Sequence, residues 1–195
     1  VGPVQSLALE AFINPGAIYD DNFVAPVSPA GTPYAFPLPP SPIPVVITKP
    51  EKEMDSSRYG FRLQGMFVNN YNWSVAHYVS YNDQPAARLA FDANGAPIQE
   101  LIFPQQKITG GSLSFFNDMT SAIYRMEFAY HYDEPVFIPE INLSGSGEIP
   151  EKDIFRFAVA ADKNFWIRAL NKSSMFNFTL QYFGERILDF DERIR

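Results

Sequence analysis

Two histidines, His77 and His131, and no cysteine set the outer limit on the side-chain chemistry open to this 195-residue chain. Without Cys there is no disulfide scaffold, thiolate zinc site, iron–sulfur cluster or cysteine nucleophile. Two imidazoles are too few for a multi-histidine metal centre. His131 stands near Asp133 and Glu134, and one imidazole with two neighbouring acids is a weak metal signal. The run Asp92-Ala93-Asn94-Gly95 begins like a calcium loop, but the distal bidentate Glu is not at the required spacing, so the run reads as a turn. There is no Gly-rich phosphate loop, no G-x-S-x-G elbow and no H-E-x-x-H, and no Ser pairs convincingly with a His. The carboxylates form no recognisable catalytic pair. The expectation is a protein that is not an enzyme, with no cofactor, no catalytic residue and no metal. Asn72, Asn142, Asn171 and Asn177 open N-x-S/T triplets, two of them inside predicted strands where a glycan would disturb pairing, and chance accounts for them better.

The elements that must carry the remaining polar residues are strands. Residues 57–68 alternate Tyr59, Phe61, Leu63, Gly65 and Phe67 against Arg58, Gly60, Arg62 and Gln64, and 72–82 alternate Trp73, Val75, His77, Val79 and Tyr81 against Ser74, Ala76, Tyr78 and Ser80. With Asn69-Asn70-Tyr71 between them, the two predict a hairpin. The pattern repeats at 107–116 and 120–132, joined through Asn117-Asp118, then at 153–161 and 174–188, with an earlier strand at about 5–13. Seven strands and almost no helix-period sequence predict an all-β, antiparallel chain. Between the strands the connections run long (14–56), short (69–71), medium (84–105), short (117–119), medium (133–151) and compact (162–173). A membrane barrel has short turns at one end and long loops at the other, so this alternation points to an up-and-down transmembrane β-barrel. Seven strands make an incomplete one, because bacterial barrels have even counts from about eight upwards.

In a barrel, one face of each strand meets lipid and the other a lumen. The predicted lipid-facing or girdle aromatics are Phe61, Trp73, Phe128, Tyr130, Phe155, Phe157, Trp166, Phe176, Phe178 and Tyr182. The predicted lumen-lining residues are Glu10, Arg58, Arg62, Gln64, Tyr78, Arg125, Glu127, His131, Arg156, Asn177 and Gln181. Such a mixed-charge wall selects solutes by its arginines and carboxylates. Alternatively, Arg125, Glu127 and Arg156 form ion pairs inside a filled interior. His77 falls on the aromatic side, which places it near an interface or implies a shifted register. Phe165, Trp166 and Leu170 are spaced for a short interfacial helix within 162–173, with Trp166 in the headgroup zone.

Nine prolines between Pro26 and Pro50 exclude a central strand from the 14–56 connection, since Pro has no N–H for a ladder. Tyr34, Phe36, Leu38, Ile43 and Val45 to Ile47 give it apolar side chains that call for packing, as in a loop folded over a barrel mouth. A net charge of -7 offers no field that would draw the chain to nucleic acid. No apolar run approaches the roughly 18 to 20 residues of a membrane helix. The chain opens Val1-Gly2-Pro3, without an initiator Met, a basic n-region or an apolar h-region, and is expected to be a piece of something longer.

Several runs, in order, carry a resemblance: Leu7 to Gly16 (LALEAFINPG), Gly31 to Pro39 (GTPYAFPLP), Ser56 to Gly65 (SSRYGFRLQG), Gly111 to Asp118 (GSLSFFND), Arg125 to Tyr130 (RMEFAY), Asp133-Glu134-Pro135, Asp153 to Phe157 (DIFRF) and Phe165 to Asn171 (FWIRALN). Each is short, but together they span nearly the whole chain and follow one another as in a family of Gram-negative outer-membrane barrels known only as a domain of unknown function. Family members are longer, which implies that residues 1–195 are one segment of a larger barrel. The family is often encoded near exporters of the resistance-nodulation-division type. The resemblance thus implies an outer-membrane, porin-like transport protein in contact with lipid, handling a hydrophobic or lipid-like solute alongside periplasmic or exporter components. It brings no catalytic residues.

Three competing readings stay open at this stage. A soluble β-sandwich used for binding or adhesion would bury its aromatic faces against a second sheet. A structural subunit of a cell-surface assembly would cover them with partners. An outer-membrane enzyme would need an ionisation-perturbed Ser/His or carboxylate site.

Overall fold

The computed structural model describes residues 4–14, 43–50, 56–67, 70–82, 84–170 and 172–194. Ten strands run in chain order: β1 (Val4–Asn14), β2 (Val45–Thr48), β3 (Arg58–Phe67), β4 (Tyr71–Tyr81), β5 (Ala86–Phe91), β6 (Pro97–Ile102), β7 (Gln105–Asn117), β8 (Ala122–Pro135), β9 (Glu151–Phe165) and β10 (Phe176–Ile187). One helical turn, α1 (Pro139–Asn142), lies between β8 and β9. Seven strands form one antiparallel sheet in the order β1-β3-β4-β7-β8-β9-β10, and these are the seven that the period-two pattern predicts. The chain is mostly antiparallel β. Among the described residues the sheet is open rather than a closed barrel, with β1 and β10 at its edges.

The other three strands form a second sheet, in the order β2-β6-β5, with β2 parallel to β6. They correct the sequence reading of their segments as loops. β2 lies in the long connection 14–56, and its prolines at 15–42 fall outside the described residues. The 84–105 connection is a hairpin: Asp92 Oδ1 accepts the amides of Asn94 and Ala96, each at 2.8 Å, and Gly95 takes φ 77° to close the turn. The Asp92 run is therefore the hairpin turn. A second correction concerns 162–173, where no helix forms among the described residues. β9 continues to Phe165, which pairs with Phe176, because extending the ladder satisfies more backbone than one isolated helical turn.

All three long connections (β1 to β3, β4 to β7 and β8 to β9) leave from the same end of the large sheet, and their described parts assemble into a cap there. Thr48 Oγ1 donates to Glu100 Oε1 at 2.8 Å, and Arg88 Nε donates to Oε2 at 2.8 Å. Arg88 also donates to the Gly147 carbonyl, which ties β5 to the loop after α1. Most of the buried apolar side chains, Val79, Ala87, Phe103, Ile138 and Ile154, sit at this end or in the cap. The core of the molecule is therefore at the cap, and the large sheet leaves both its faces accessible.

The Thr48 and Arg88 bonds hold the Glu100 carboxyl below its ordinary value of 4.5, Thr48 contributing most. A depressed folded value means that this stabilisation is full above the ordinary value and is lost as pH falls through the depressed one. Amide exchange in β2 and β6, taken relative to the intrinsic rate at each pH, is expected to rise below the ordinary value of 4.5. Glu100→Gln should flatten that rise, and a wild-type profile in the variant would show that Glu100 is not its source.

Candidate functional site

Register and pleat decide which side chains share a face. Tyr59 pairs with Val79, Phe61 with His77 and Leu63 with Val75, and the same parity continues through Trp73 with Leu113, Gly111 with Phe128, Phe128 with Phe157 and Val159 with Tyr182. Nine of the ten aromatics singled out from sequence thus stand on one face of one sheet. The tenth, Trp166, follows β9 and is exposed in the turn that replaces the expected helix.

This aromatic face is layered. Toward the cap stand Tyr59, Phe61, Tyr130, Tyr132 and Phe155, and toward the tight turns Phe67, Tyr71, Phe115 and Tyr124, with Tyr71 stacked on Phe115 at 4.9 Å. Between the tiers the face is apolar and mixed, with Leu9, Leu63, Val75, Leu113, Met126 and Val159 beside the rings of Trp73, Phe128, Phe157 and Tyr182. Among the described residues, its charged side chains, Lys107, Glu151, Asp153, Lys163 and Arg186, all stand level with a tier or outside it. His77 keeps its register. It lies level with Tyr130 and Phe155, its Nδ1 hydrogen-bonded to Thr109 Oγ1 at 2.8 Å. Glycines seat the central rings: a Cβ on Gly111 would lie 2.9 Å from Phe128 Cζ, and Phe157 covers Gly184 in the same way.

All eleven residues singled out from sequence as polar lining stand on the opposite face. Across it runs the row Glu10, Arg62, Ala76, Gly110, Ala129, Arg156 and Glu185, and beside that the row Ala8, Gln64, Ser74, Ser112, Glu127, Ala158 and Phe183. One shallow trough of about 740 Å³, widely open to the outside, is lined on this face from β3 round to β10. Small residues in mid-row leave the room for it.

A charged cluster closes the cap end of this trough. Arg156 holds Glu134 through two bonds of 2.8 Å and Glu185 Oε2 at 2.6 Å, while His131 Nδ1 lies 3.1 Å from both Glu134 Oε2 and Gln106 Nε2. Four strands, β7 to β10, are clamped by these five side chains. Glu134 reaches the cluster through a bulge. His131 pairs with Ile154 but Glu134 with Lys152, so β8 spends one extra residue, and Asp133 takes φ 50° within it. Without the bulge Glu134 would point to the aromatic face. The Asp133 amide donates to Asp153 Oδ1 at 3.1 Å, fixing the kink. Of the acids near His131, Glu134 is engaged by Arg156 and Asp133 contributes its amide to the kink, and among the described residues no group of three metal-ligating side chains comes together.

Further along, Arg125 pairs with Asp162 at 2.9 Å, Thr179 Oγ1 donates to the same carboxylate at 2.7 Å, and Ser74 and Ser112 share a 2.7 Å bond. Sequence reasoning missed Gln106, Glu134, Asp162 and Glu185. Comparison of the chain with family models, with curated proteins and with solved structures finds no match.

Proposed function

We propose that this chain is wall and cap of an outer-membrane β-barrel that passes a hydrophobic or lipid-like solute, with the aromatic face toward lipid, the concave polar face toward the solute path and the cap over one mouth. The observation that carries the reading is the charge pattern of the aromatic face: between the row of Tyr130 and Phe155 and the row of Phe115 and Tyr124 it is apolar and uncharged across the seven strands. Its dimensions support this. Six residues separate Tyr124 from Tyr130, about 20 Å of strand, or roughly 16 Å of height at a ~40° tilt, and the outer cap row at Tyr132 raises this to roughly 21 Å, against the ~25 Å apolar band of membrane barrels. The strands, of 10 to 15 residues, are long enough to span. A soluble sandwich would need a second sheet over this band. The small sheet is built from the connections at the strand ends, and Phe61, Val75 and Phe128 stay exposed.

Fractionation of the native full-length protein tests the reading, followed by gel migration of the detergent extract before and after boiling. The expected result is extraction only by detergent and a heat-dependent shift in migration. A freely soluble protein with one migration position would overturn the channel in favour of a binding sandwich.

A further inference from the structure

The charged side chains of the concave face divide unequally. Arg125 is paired with Asp162, and Arg156 with Glu134 and Glu185. Glu10 stands directly opposite Arg62, yet its carboxylate accepts Gln64 Nε2 at 2.9 Å. Two residues lining the cavity, Arg62 and Glu127, make no ion pair or hydrogen bond among the described residues. One is a cation on β3 and the other an anion on β8.

Their places define a distance. Three strand spacings and two residues separate them, roughly 14 Å across the sheet and ~7 Å along it from standard strand geometry. The two side chains span part of that, and the concave curvature shortens the chord. The remaining gap is floored by Ala76, Gly110 and Ala129, and Phe183 lies beyond Glu127, two strands further on. The trough, about 740 Å³ and open to the outside, has room for a small ligand. An anion alone would meet Glu127 and Glu10, and a cation alone would meet Arg62. Only a molecule carrying both charges at a distance satisfies the two side chains together.

We propose that the trough between Arg62 and Glu127 is a subsite for a zwitterion whose opposite charges are separated by an apolar spacer, its anion on the guanidinium and its cation on the carboxylate. This rests on the reading of the concave face as the solute path and names the class of solute that the path takes.

Three probes of one chain length test it by calorimetric titration of the full-length protein in non-ionic detergent: 8-aminooctanoate, octanoate and octylamine. The expected result is binding of 8-aminooctanoate about threefold to fivefold tighter than either singly charged probe, as suits partly exposed ion pairs. Arg62→Gln should abolish the preference over octylamine, and Glu127→Gln the preference over octanoate. Both positions are exposed, and unchanged circular dichroism confirms that the variants fold. Equal binding of the three probes, tightest binding of octanoate, or a ranking untouched by both substitutions would overturn the subsite. Heat-dependent migration of the same preparation reports on the barrel separately, so a heat-modifiable protein without the ranking removes the subsite alone.

Discussion

Val75→Arg is expected to destabilise the membrane-inserted protein by about 2 to 4 kcal/mol, the cost of an arginine facing lipid at the midplane of a barrel. Val75 lies in the uncharged band between Leu63 and Gly111, level with Phe128 and so midway between Tyr124 and Tyr132, and it is 43% exposed. In water, an exposed side chain of this kind tolerates substitution within about 0.5 kcal/mol. The two environments therefore predict effects several-fold apart at one position. Ser74→Arg is the control, because its side chain enters the concave trough one residue away and should change stability far less. Reversible urea unfolding in lipid vesicles, followed by the fluorescence of Trp73 and Trp166, measures both. A cost at Val75 no larger than that at Ser74 would mean that the band does not face lipid.

The large sheet is legible in the sequence because its strands alternate strictly and one parity is aromatic. Once the parity of Phe61, Trp73 and Phe157 is read, tight-turn pairing leaves little choice of register, since a one-residue slip would move each aromatic set to the polar side. The lining was legible for the same reason, and continuing the alternation of Asn177, Thr179 and Gln181 by four residues would have reached Glu185. Asp162 lay one residue past the end given to its strand. Glu134 was hidden more deeply: alternation alone assigns it to the wrong face, and only the bulge at Asp133 turns it inward. The nearest local signal is Asp133 itself, a residue type that enters the left-handed region more readily than most.

The cap was less legible because its strands pair across the chain rather than with their neighbours. β2 finds β6 some fifty residues away, and nothing in Val45 to Thr48 beyond its apolar, β-branched composition announces the partner. The β5–β6 hairpin was within reach, since the Asp92 turn was recognised while the short runs on either side were left unassigned. Pro97 opens β6, a position where a missing N–H is tolerated. The helix expected at Phe165 to Leu170 failed for the opposite reason, that local spacing gave way to a ladder already running through Asn164 and Phe165.

The side chain on which the cap turns is Asn142, and its removal is the second large expected effect. It is 2% exposed, its Oδ1 accepts the Ile138 amide at 2.8 Å, and its Nδ2 donates to the Ala87 carbonyl at 3.1 Å. Ala87 lies on β5, the edge of the small sheet, so one amide group satisfies the start of α1 and covers that edge. Its burial also leaves no room for a glycan at this N-x-S/T position. Asn142→Ala would leave a buried N–H and a buried C=O without partners, each costing about 1 to 3 kcal/mol, so the cap should lose roughly 2 to 4 kcal/mol after partial relaxation. Asn142→Asp keeps the acceptor for Ile138 but sets a carboxylate against the Ala87 carbonyl, and it should be no better tolerated. The effect is expected to be local: faster amide exchange at Ile138 and along β5, and earlier proteolysis within 136–150, with β7 to β9 unchanged. If the cap narrows the mouth of a channel, the same variant should also raise single-channel conductance. Exchange that accelerates equally in β8 would show instead that cap and sheet unfold as one unit, and that the cap cannot open by itself.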